Sequence, residues 1–294
     1  MKSSIISVAA LAALSSASPI KRADGPTDAD ILNYALTLEH LEDTFYREAL
    51  QKYTLADFTA AGFSEDNYNK IKIVSEDEAT HVSFLTGALK AAGATPVAAC
   101  KYNFGYTDVK SFLATASVLE GVGVSAYLGA AADIMSKAYL TAAGSILTVE
   151  ARHSAYVRNT IKQQPFPQPF DNPLGLNEVF TLAAQFITSC PETNPTLPVK
   201  AFPVLTATST DATIKTGSKL TLNTKGYKVE GTVYAAFITV TGPIFVETKA
   251  VYGGFEVNVP KGIAGQSYVV LTSCNTDASD DSIVAGPAIV EISS

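Results

Sequence analysis

Two Glu-x-x-His motifs, Glu78–His81 and Glu150–His153, constrain the fold of this chain more than any other feature. Each motif follows an apolar stretch that carries one further glutamate, Glu39 before the first motif and Glu120 before the second. On an α-helix, residues i and i+3 project to nearly the same side. Four helices with this pattern can bring four carboxylates and two imidazoles together at the centre of a bundle. Two of the three histidines of the chain lie in these motifs, which argues against coincidence.

The donor set of these motifs indicates metal binding. Carboxylates with one imidazole per ion suit iron or manganese, whereas a structural zinc site favours thiolates or more histidines. Four carboxylates carry four negative charges, which two divalent cations neutralise. Without metal, the same carboxylates would repel one another in an apolar core and some would take up protons. The sequence therefore predicts a site for two divalent ions of iron or manganese.

An internal repeat supports Glu39 as the first ligand. Leu38 and Glu39 are followed seven residues later by Tyr46, and Leu119 and Glu120 are followed seven residues later by Tyr127. Seven residues make about two helical turns, so each tyrosine lies on the face of its glutamate. Glu42 lies on a similar face to Glu39, so either glutamate could be the ligand, and the repeat favours Glu39. Whether Tyr46 and Tyr127 only pack in the core or also hydrogen-bond to the metal carboxylates stays open.

Two neighbours of these residues are not expected to bind metal. His40 points about 100° away from Glu39 around the helix, so we expect it at the surface or in a supporting contact. Asp77, next to Glu76, is expected to belong to a solvated acidic run. Each ligand histidine is expected to donate its second ring N–H to an acceptor that fixes its orientation.

Residues 28 to about 163 are predicted to form four helices. Asp28 or Asp30 can cap the first helix, and the third is predicted to run almost without charge from Ser111 to Met135. Because Glu120 lies in the middle of this apolar stretch, a buried bundle helix fits better than a membrane span. An amphipathic segment at 177–187 is expected to pack on the bundle.

After a proline-rich linker, the sequence consists of short runs rich in β-forming residues, separated by turn residues. They predict an antiparallel, immunoglobulin-like β-sandwich. The fold class is therefore α plus β in two domains: a bundle at 23–190, a linker at 191–203 and a β-sandwich at 204–294. The predicted strands are Val204–Thr208, Lys219–Asn223, Val233–Val240, Ile244–Thr248, Phe255–Val259, Tyr268–Thr272 and Ala288–Ile292.

The N-terminus predicts secretion. Residues 1–22 combine Lys2, an apolar run, small residues and the dibasic pair Lys21 and Arg22, which is typical of a signal peptide with a processing site. In an oxidising compartment we expect a disulfide between Cys100 and Cys190, which flank the helical region, with Cys274 left over. Only 17% of residues are charged, with no basic block, which argues against a nucleic-acid partner.

The pattern of motifs resembles the ferritin-like superfamily. The run Asn33–Tyr46 (NYALTLEHLEDTFY) is similar to the first-helix signature of secreted ferritin-like proteins, which include plant desiccation-related and fungal stress-response or sexual-development proteins. Val149–His153 and Ala285–Ile289 look fungal. The set departs from ribonucleotide reductase small subunits, from heavy-chain ferritins and from rubrerythrins, because it has Glu at the first position, a second Glu-x-x-His and no Cys-x-x-Cys pair.

The resemblance implies a role for each ligand. Glu78 and Glu150 would bridge two metals, and Glu39 and Glu120 would each bind one metal terminally. His81 and His153 would complete the coordination, one per ion.

Three functions follow as hypotheses. The first is a secreted dinuclear-metal oxidoreductase that decomposes hydrogen peroxide or another small oxidant in a catalase-like or peroxidase-like way, since an extracellular protein has little access to a reductase. The second is metal binding or ferroxidase activity without peroxide turnover. The third is a cell-wall interaction protein with structural metals and a ligand on the β-domain. A homodimer is one expected assembly, whereas storage in a ferritin-type cage is not expected.

Overall fold

The computed structural model describes residues 25–293, so the predicted signal segment and its processing site lie outside the described residues. The helices are α1 Asp28–Lys52, α2 Leu55–Ala60, α3 Glu65–Ala91, α4 Val109–Ala130, α5 Lys137–Thr160 and α6 Leu176–Ala183. The strands are β1 Lys101–Tyr102, β2 Ile187–Ser189, β3 Thr206–Thr208, β4 Lys219–Asn223, β5 Tyr234–Phe237, β6 Ile244–Glu247, β7 Lys249–Val251, β8 Gly254–Asn258, β9 Gly265–Thr272 and β10 Ile283–Ile292.

The helical domain consists of two antiparallel hairpins, α1 with α3 and α4 with α5. Their starts are fixed by side-chain caps that satisfy free backbone N–H groups. Thr27 caps α1, so the expected caps Asp28 and Asp30 are wrong. Asp30 instead completes the capping box of Thr27, while Asp28 accepts hydrogen bonds from the backbone of residues 135 and 136 at the start of α5.

Helix α4 is shorter than predicted. It ends at Ala130, and a 3-10 turn at Ala131–Asp133 follows, so the predicted extension to Met135 is wrong. Val109–Asp133 is long and apolar enough to cross a membrane, but 67% of its apolar window is buried within the protein. Because Glu120 in its middle is fully buried, α4 has the character of a core helix.

The β-sandwich contains two antiparallel four-stranded sheets, with strand orders β10-β9-β5-β6 and β3-β4-β8-β7. If strands β3–β10 are lettered A, B, C, C′, D, E, F and G in chain order, the first sheet has the order G-F-C-C′ and the second the order A-B-E-D. These are the two sheets of an immunoglobulin-like sandwich. All seven predicted runs contain a strand, although their ends differ by up to five residues, and β7 was missed because the break at Thr248 looked like the end of a strand.

One sheet of the sandwich also packs against the bundle. Successive residues of a strand point to opposite faces. Ala235 and Phe237 of β5 join the core between the two sheets, whereas Ala236 joins the helical core together with Tyr268 and Val270 of β9. The two domains therefore share a continuous apolar contact.

The segment predicted as a linker is fastened to the bundle. Asn194 exchanges hydrogen bonds with the backbone of Ala98, and the backbone of Phe202 donates to Thr181 of α6. Strand β1 pairs with β2, and beside this pair Cys100 and Cys190 form the expected disulfide. The disulfide therefore ties the connection between the two hairpins to the chain that follows α6.

Removing this disulfide should destabilise the protein. The bond closes a loop across a sequence separation of 90 residues, and its loss in the Cys100→Ser/Cys190→Ser double variant should lower the free energy of unfolding by roughly 2–5 kcal/mol. Urea denaturation followed by circular dichroism measures the change. Cys274→Ser is the matched control, because Cys274 is a free thiol; an equal loss in both variants would contradict the assignment.

Candidate metal centre

The structure brings the six predicted ligands together at the middle of the bundle. Glu39 comes from α1, Glu78 and His81 from α3, Glu120 from α4, and Glu150 and His153 from α5. All four carboxylates are fully buried at 0% exposure. The helical spacing read from the sequence accounts for this convergence, because each pair of i and i+3 residues faces the bundle axis.

The donors form two groups, in each of which the ligand atoms lie within 4.8 Å of one another. One group contains Glu39, Glu78, His81 and Glu150, and the other contains Glu78, Glu120, Glu150 and His153. Glu78 and Glu150 belong to both groups, which is the position that a bridging carboxylate requires. Each group thus contains the unshared Glu and the His of one hairpin, together with the two shared glutamates, one from each hairpin.

The distances agree with two adjacent cation sites. His81 Nδ1 lies 3.2 Å from a carboxylate oxygen of each of Glu39, Glu78 and Glu150. His153 Nδ1 lies 2.9 Å from Glu78 Oε1 and 3.6 Å from Glu120 Oε2. Each imidazole therefore directs one nitrogen into the carboxylate cluster.

Several of these donors have no hydrogen-bond partner within the protein. Both carboxylate oxygens of Glu150, and Oε2 of Glu39 and of Glu120, are buried and accept no well-formed hydrogen bond. Three of these oxygens lie 3.2–3.6 Å from an imidazole nitrogen, whereas Glu150 Oε2 has no such contact among the described residues. Buried carboxylate oxygens without a partner are costly to desolvate. Oxygen donors with one imidazole per group also match the preference of iron and manganese. The residues present therefore fit two divalent metal ions, which leaves iron and manganese equally open.

The two tyrosines of the repeat reach across the bundle. Tyr46 of α1 donates a short hydrogen bond to Glu120 Oε1 of α4, and Tyr127 of α4 donates one to Glu39 Oε1 of α1. Each phenol thus holds the terminal carboxylate of the opposite hairpin. Of the two alternatives left open by the sequence, hydrogen bonding to the carboxylates is the one found.

Asp77 is the residue of the site that the sequence analysis missed. Its Oδ2 lies 3.1 Å from His153 Nε2, so it can accept the second ring N–H of that histidine and is not simply part of a solvated run. Among the described residues, no acceptor occupies the equivalent place beside His81 Nε2. His40 lies outside the centre and bonds through Nε2 to the Val97 carbonyl at 3.1 Å.

The alternative ligand Glu42 is also buried, at 3% exposure, but it belongs to neither metal-binding group. The structure therefore places Glu39, and not Glu42, among the converging donors.

Burial and crowding shift the pKa values of the carboxylates in the metal-free protein. Burial raises the pKa of Glu39 to about 7, and burial with repulsion from neighbouring carboxylates raises the pKa of Glu120 and Glu150 well above the ordinary value. Burial also opposes ionisation of Glu78, but hydrogen bonds from His153 and His81 outweigh it and lower its pKa to about 2.

The pKa values of the two ligand histidines are raised, which is the opposite of the effect that burial has on an imidazole. Burial alone would lower their pKa, but the surrounding carboxylates outweigh it and raise the pKa of His81 to about 12 and of His153 to about 9. The metal-free centre therefore retains protons that metal ions would displace.

Comparison with known proteins agrees with this geometry. A family model described as a ferritin-like domain matches residues 27–163, the region of the two hairpins. The helical domain belongs to the ferritin-like superfamily.

One curated relative of this chain is protein rds1 of Schizosaccharomyces pombe, which is 28% identical over 178 residues. The alignment covers 60% of this chain and 44% of rds1, so the chain spans less than half the length of that relative. A crystal structure of a conserved hypothetical protein from Mycobacterium tuberculosis covers 49% of this chain and 96% of its own at 16% identity, with a TM-score of 0.39, a score too low to support an argument.

Substitution of the two candidate first-helix ligands should separate their roles. Glu39→Gln removes a donor from one metal-binding group, so we expect the bound metal to fall from two ions toward one per chain. Glu42→Gln should leave two ions bound, because Glu42 contributes to neither group. Metal analysis of dialysed protein by mass spectrometry measures both, and a loss of metal in Glu42→Gln alone would reverse the assignment.

Chelation should destabilise the ferritin-like domain more at neutral pH than in acid. Raised carboxylate pKa values, such as about 7 for Glu39, give stability that is present below the unfolded pKa and is lost as pH rises through the folded pKa. The pKa of His153 is raised to about 9, so its contribution to stability is also lost as pH rises from the ordinary histidine pKa to about 9. The pKa of Glu78 is lowered to about 2, so its contribution is lost only as pH falls toward 2. The metal-free protein should therefore lose stability from about pH 4.5 to pH 9, and further toward pH 12 as His81, with its pKa raised to about 12, loses its proton.

Metal binds the ionised carboxylates and neutral imidazoles, so its stabilisation grows as pH rises over the same interval. At a hundredfold excess of metal over Kd, the total stabilisation is about 2.7 kcal/mol. Melting curves with and without chelator at pH 4.5 and pH 7 test this. Equal melting temperatures with and without metal at pH 7, on protein shown to have lost its metal, would count against the centre.

Proposed function

We propose that the ferritin-like domain holds two iron or manganese ions and that the protein is an oxidoreductase that decomposes hydrogen peroxide. The observation that carries the proposal is the pair of donor groups that share Glu78 and Glu150. Two adjacent iron or manganese ions held by these residues would supply two-electron redox chemistry, which could take two electrons from one peroxide, releasing oxygen, and pass them to another, releasing water.

The residues of the chain support such a centre in three ways. Tyr46 and Tyr127 hold the terminal carboxylates Glu120 and Glu39 in place, and Asp77 orients the ring of His153. Fixing a ligand from outside the coordination sphere preserves its orientation when its charge changes. The apolar side chains packed around the centre limit the access of water, which strengthens the electrostatic interactions inside it.

Secretion is part of this proposal. The disulfide between Cys100 and Cys190 supports it, because such bonds persist mainly in oxidising compartments. Disproportionation of peroxide needs no external reductant, which suits an extracellular location.

Oxygen release tests the proposed activity. Protein loaded with manganese or iron should release oxygen from hydrogen peroxide in an oxygen-electrode assay. Glu78→Ala removes a carboxylate shared by both groups and should reduce release to the level of free metal. Glu76→Ala, on the same helix and absent from both groups, is the matched control and should retain activity. No metal-dependent release by protein that holds two ions would refute the catalase-like function.

A further inference from the structure

Glu42 is a fifth buried carboxylate beside the proposed centre. It lies one helical turn after Glu39 on α1. A Cβ atom built at Gly123 of α4 would lie 3.1 Å from Glu42 Oε1 and 3.1 Å from Glu150 Oε2. Gly123 therefore leaves the space in which the carboxylates of Glu42 and Glu150 approach α4. Within residues 25–293, Glu42 has no hydrogen-bond or ion-pair partner.

A pocket of about 370 Å³ reaches Glu42 from outside the bundle. Its volume lies in the range of small-molecule sites, roughly 300–1,000 Å³. Its walls come from α1, α4, α6 and the residues just after it, the connection at 103–105 and β10. They are mainly apolar side chains such as Leu41, Val122, Leu182 and Phe186. Among the described residues that line it, Glu42 is the only ionisable one.

The charge of Glu42 selects the kind of molecule that fits the pocket. Two divalent ions would balance the four carboxylates of the donor groups and would leave no positive charge for Glu42. Burial and repulsion from the neighbouring carboxylates raise the pKa of Glu42 well above its ordinary value, because no cation of the described residues compensates this group. A buried carboxylate without a partner is costly in apolar surroundings, and a cationic hydrogen-bond donor would offset that cost. A hydrated metal ion suits these walls poorly, because apolar side chains cannot replace its water ligands. An organic cation with an apolar body satisfies both the carboxylate and the walls.

We propose that this pocket, the Glu42 pocket, binds a small primary amine with an apolar body, with the ammonium group on Glu42 and the body among the apolar side chains. The assignment rests on the proposed metal centre, because the two ions balance the other four carboxylates. It goes beyond the proposed peroxide decomposition and names a class of ligand, distinct from peroxide, that would be held beside that centre.

Calorimetry tests the proposal on the full-length protein loaded with zinc, an ion that fills divalent sites without redox cycling. Phenethylamine is the probe, and phenylacetate, with a similar body and the opposite charge, is its comparator. We expect the amine to bind and phenylacetate not to bind. Glu42→Gln should weaken amine binding roughly tenfold or more, because it removes the charge while preserving the shape of the side chain.

Two further variants keep the test decisive. Val118→Phe narrows the pocket without changing any charge and should also weaken amine binding. Glu48→Gln, an exposed change on the same helix and outside the lining, is the matched control and should bind the amine normally. Absence of amine binding, equal binding of phenylacetate, or an unchanged affinity in either Glu42→Gln or Val118→Phe would overturn the proposal.

The zinc content of the same samples gives a separate result for the metal centre. Because zinc does not turn over peroxide, the outcome for the Glu42 pocket is independent of the oxygen-release assay. A protein that binds the amine but releases no oxygen would retain the pocket and lose the peroxide function.

Discussion

The burial of several glutamates in one apolar core is the constraint on which the rest of the helical domain depends. Carboxylates without partners in such surroundings carry a large desolvation cost, and repulsion between them adds to it. The surrounding residues reduce this cost: imidazoles approach Glu78 from two helices, and phenols donate to Glu39 and Glu120. Apart from the contact between His81 and Glu78 within α3, these contacts join different helices, so the charged groups that oppose folding when isolated also specify how the two hairpins dock. Metal ions would extend the same compensation to the oxygens that accept no hydrogen bond.

The internal repeat explains both the symmetry of the site and its departures from symmetry. The offset that relates Glu39 to Glu120 also relates Glu42 to Gly123, so the larger side chain of one half occupies the space left by the glycine of the other. In the same way, Asp77 precedes the first motif where Val149 precedes the second. An aspartate can accept a hydrogen bond from His153, whereas valine offers His81 no acceptor. The two metal positions are therefore chemically unequal even though their ligands match.

The features that could be predicted are those that depend on the spacing of residues close together in the sequence. Helical periodicity placed the ligands on the correct faces, and alternation located seven of the eight sandwich strands. Two misses depend on contacts distant in sequence: Asp28 accepts hydrogen bonds from the backbone at the start of α5, and Asp77 looked solvated because its partner lies on another helix. The cap of α1 was a local miss, because Thr27 pairs with Asp30 only three residues away. The internal repeat had already favoured Glu39 over Glu42, and the donor groups agree with that choice.

The apolar character of α4 follows from its position between the two domains. A helix that is apolar on all sides must be covered on all sides. On one side Glu120 faces the bundle centre, and on another the sandwich approaches closely: Tyr268 donates to the Gly121 carbonyl at 3.0 Å and Gln266 to the Val118 carbonyl at 3.1 Å. A Cβ at Gly121 would lie within 2.7 Å of the Gln266 side chain, so this glycine permits the approach. The β-sandwich therefore packs against α4, the helix that carries Glu120 and one wall of the Glu42 pocket. In this way the sandwich forms part of the structural framework of the site.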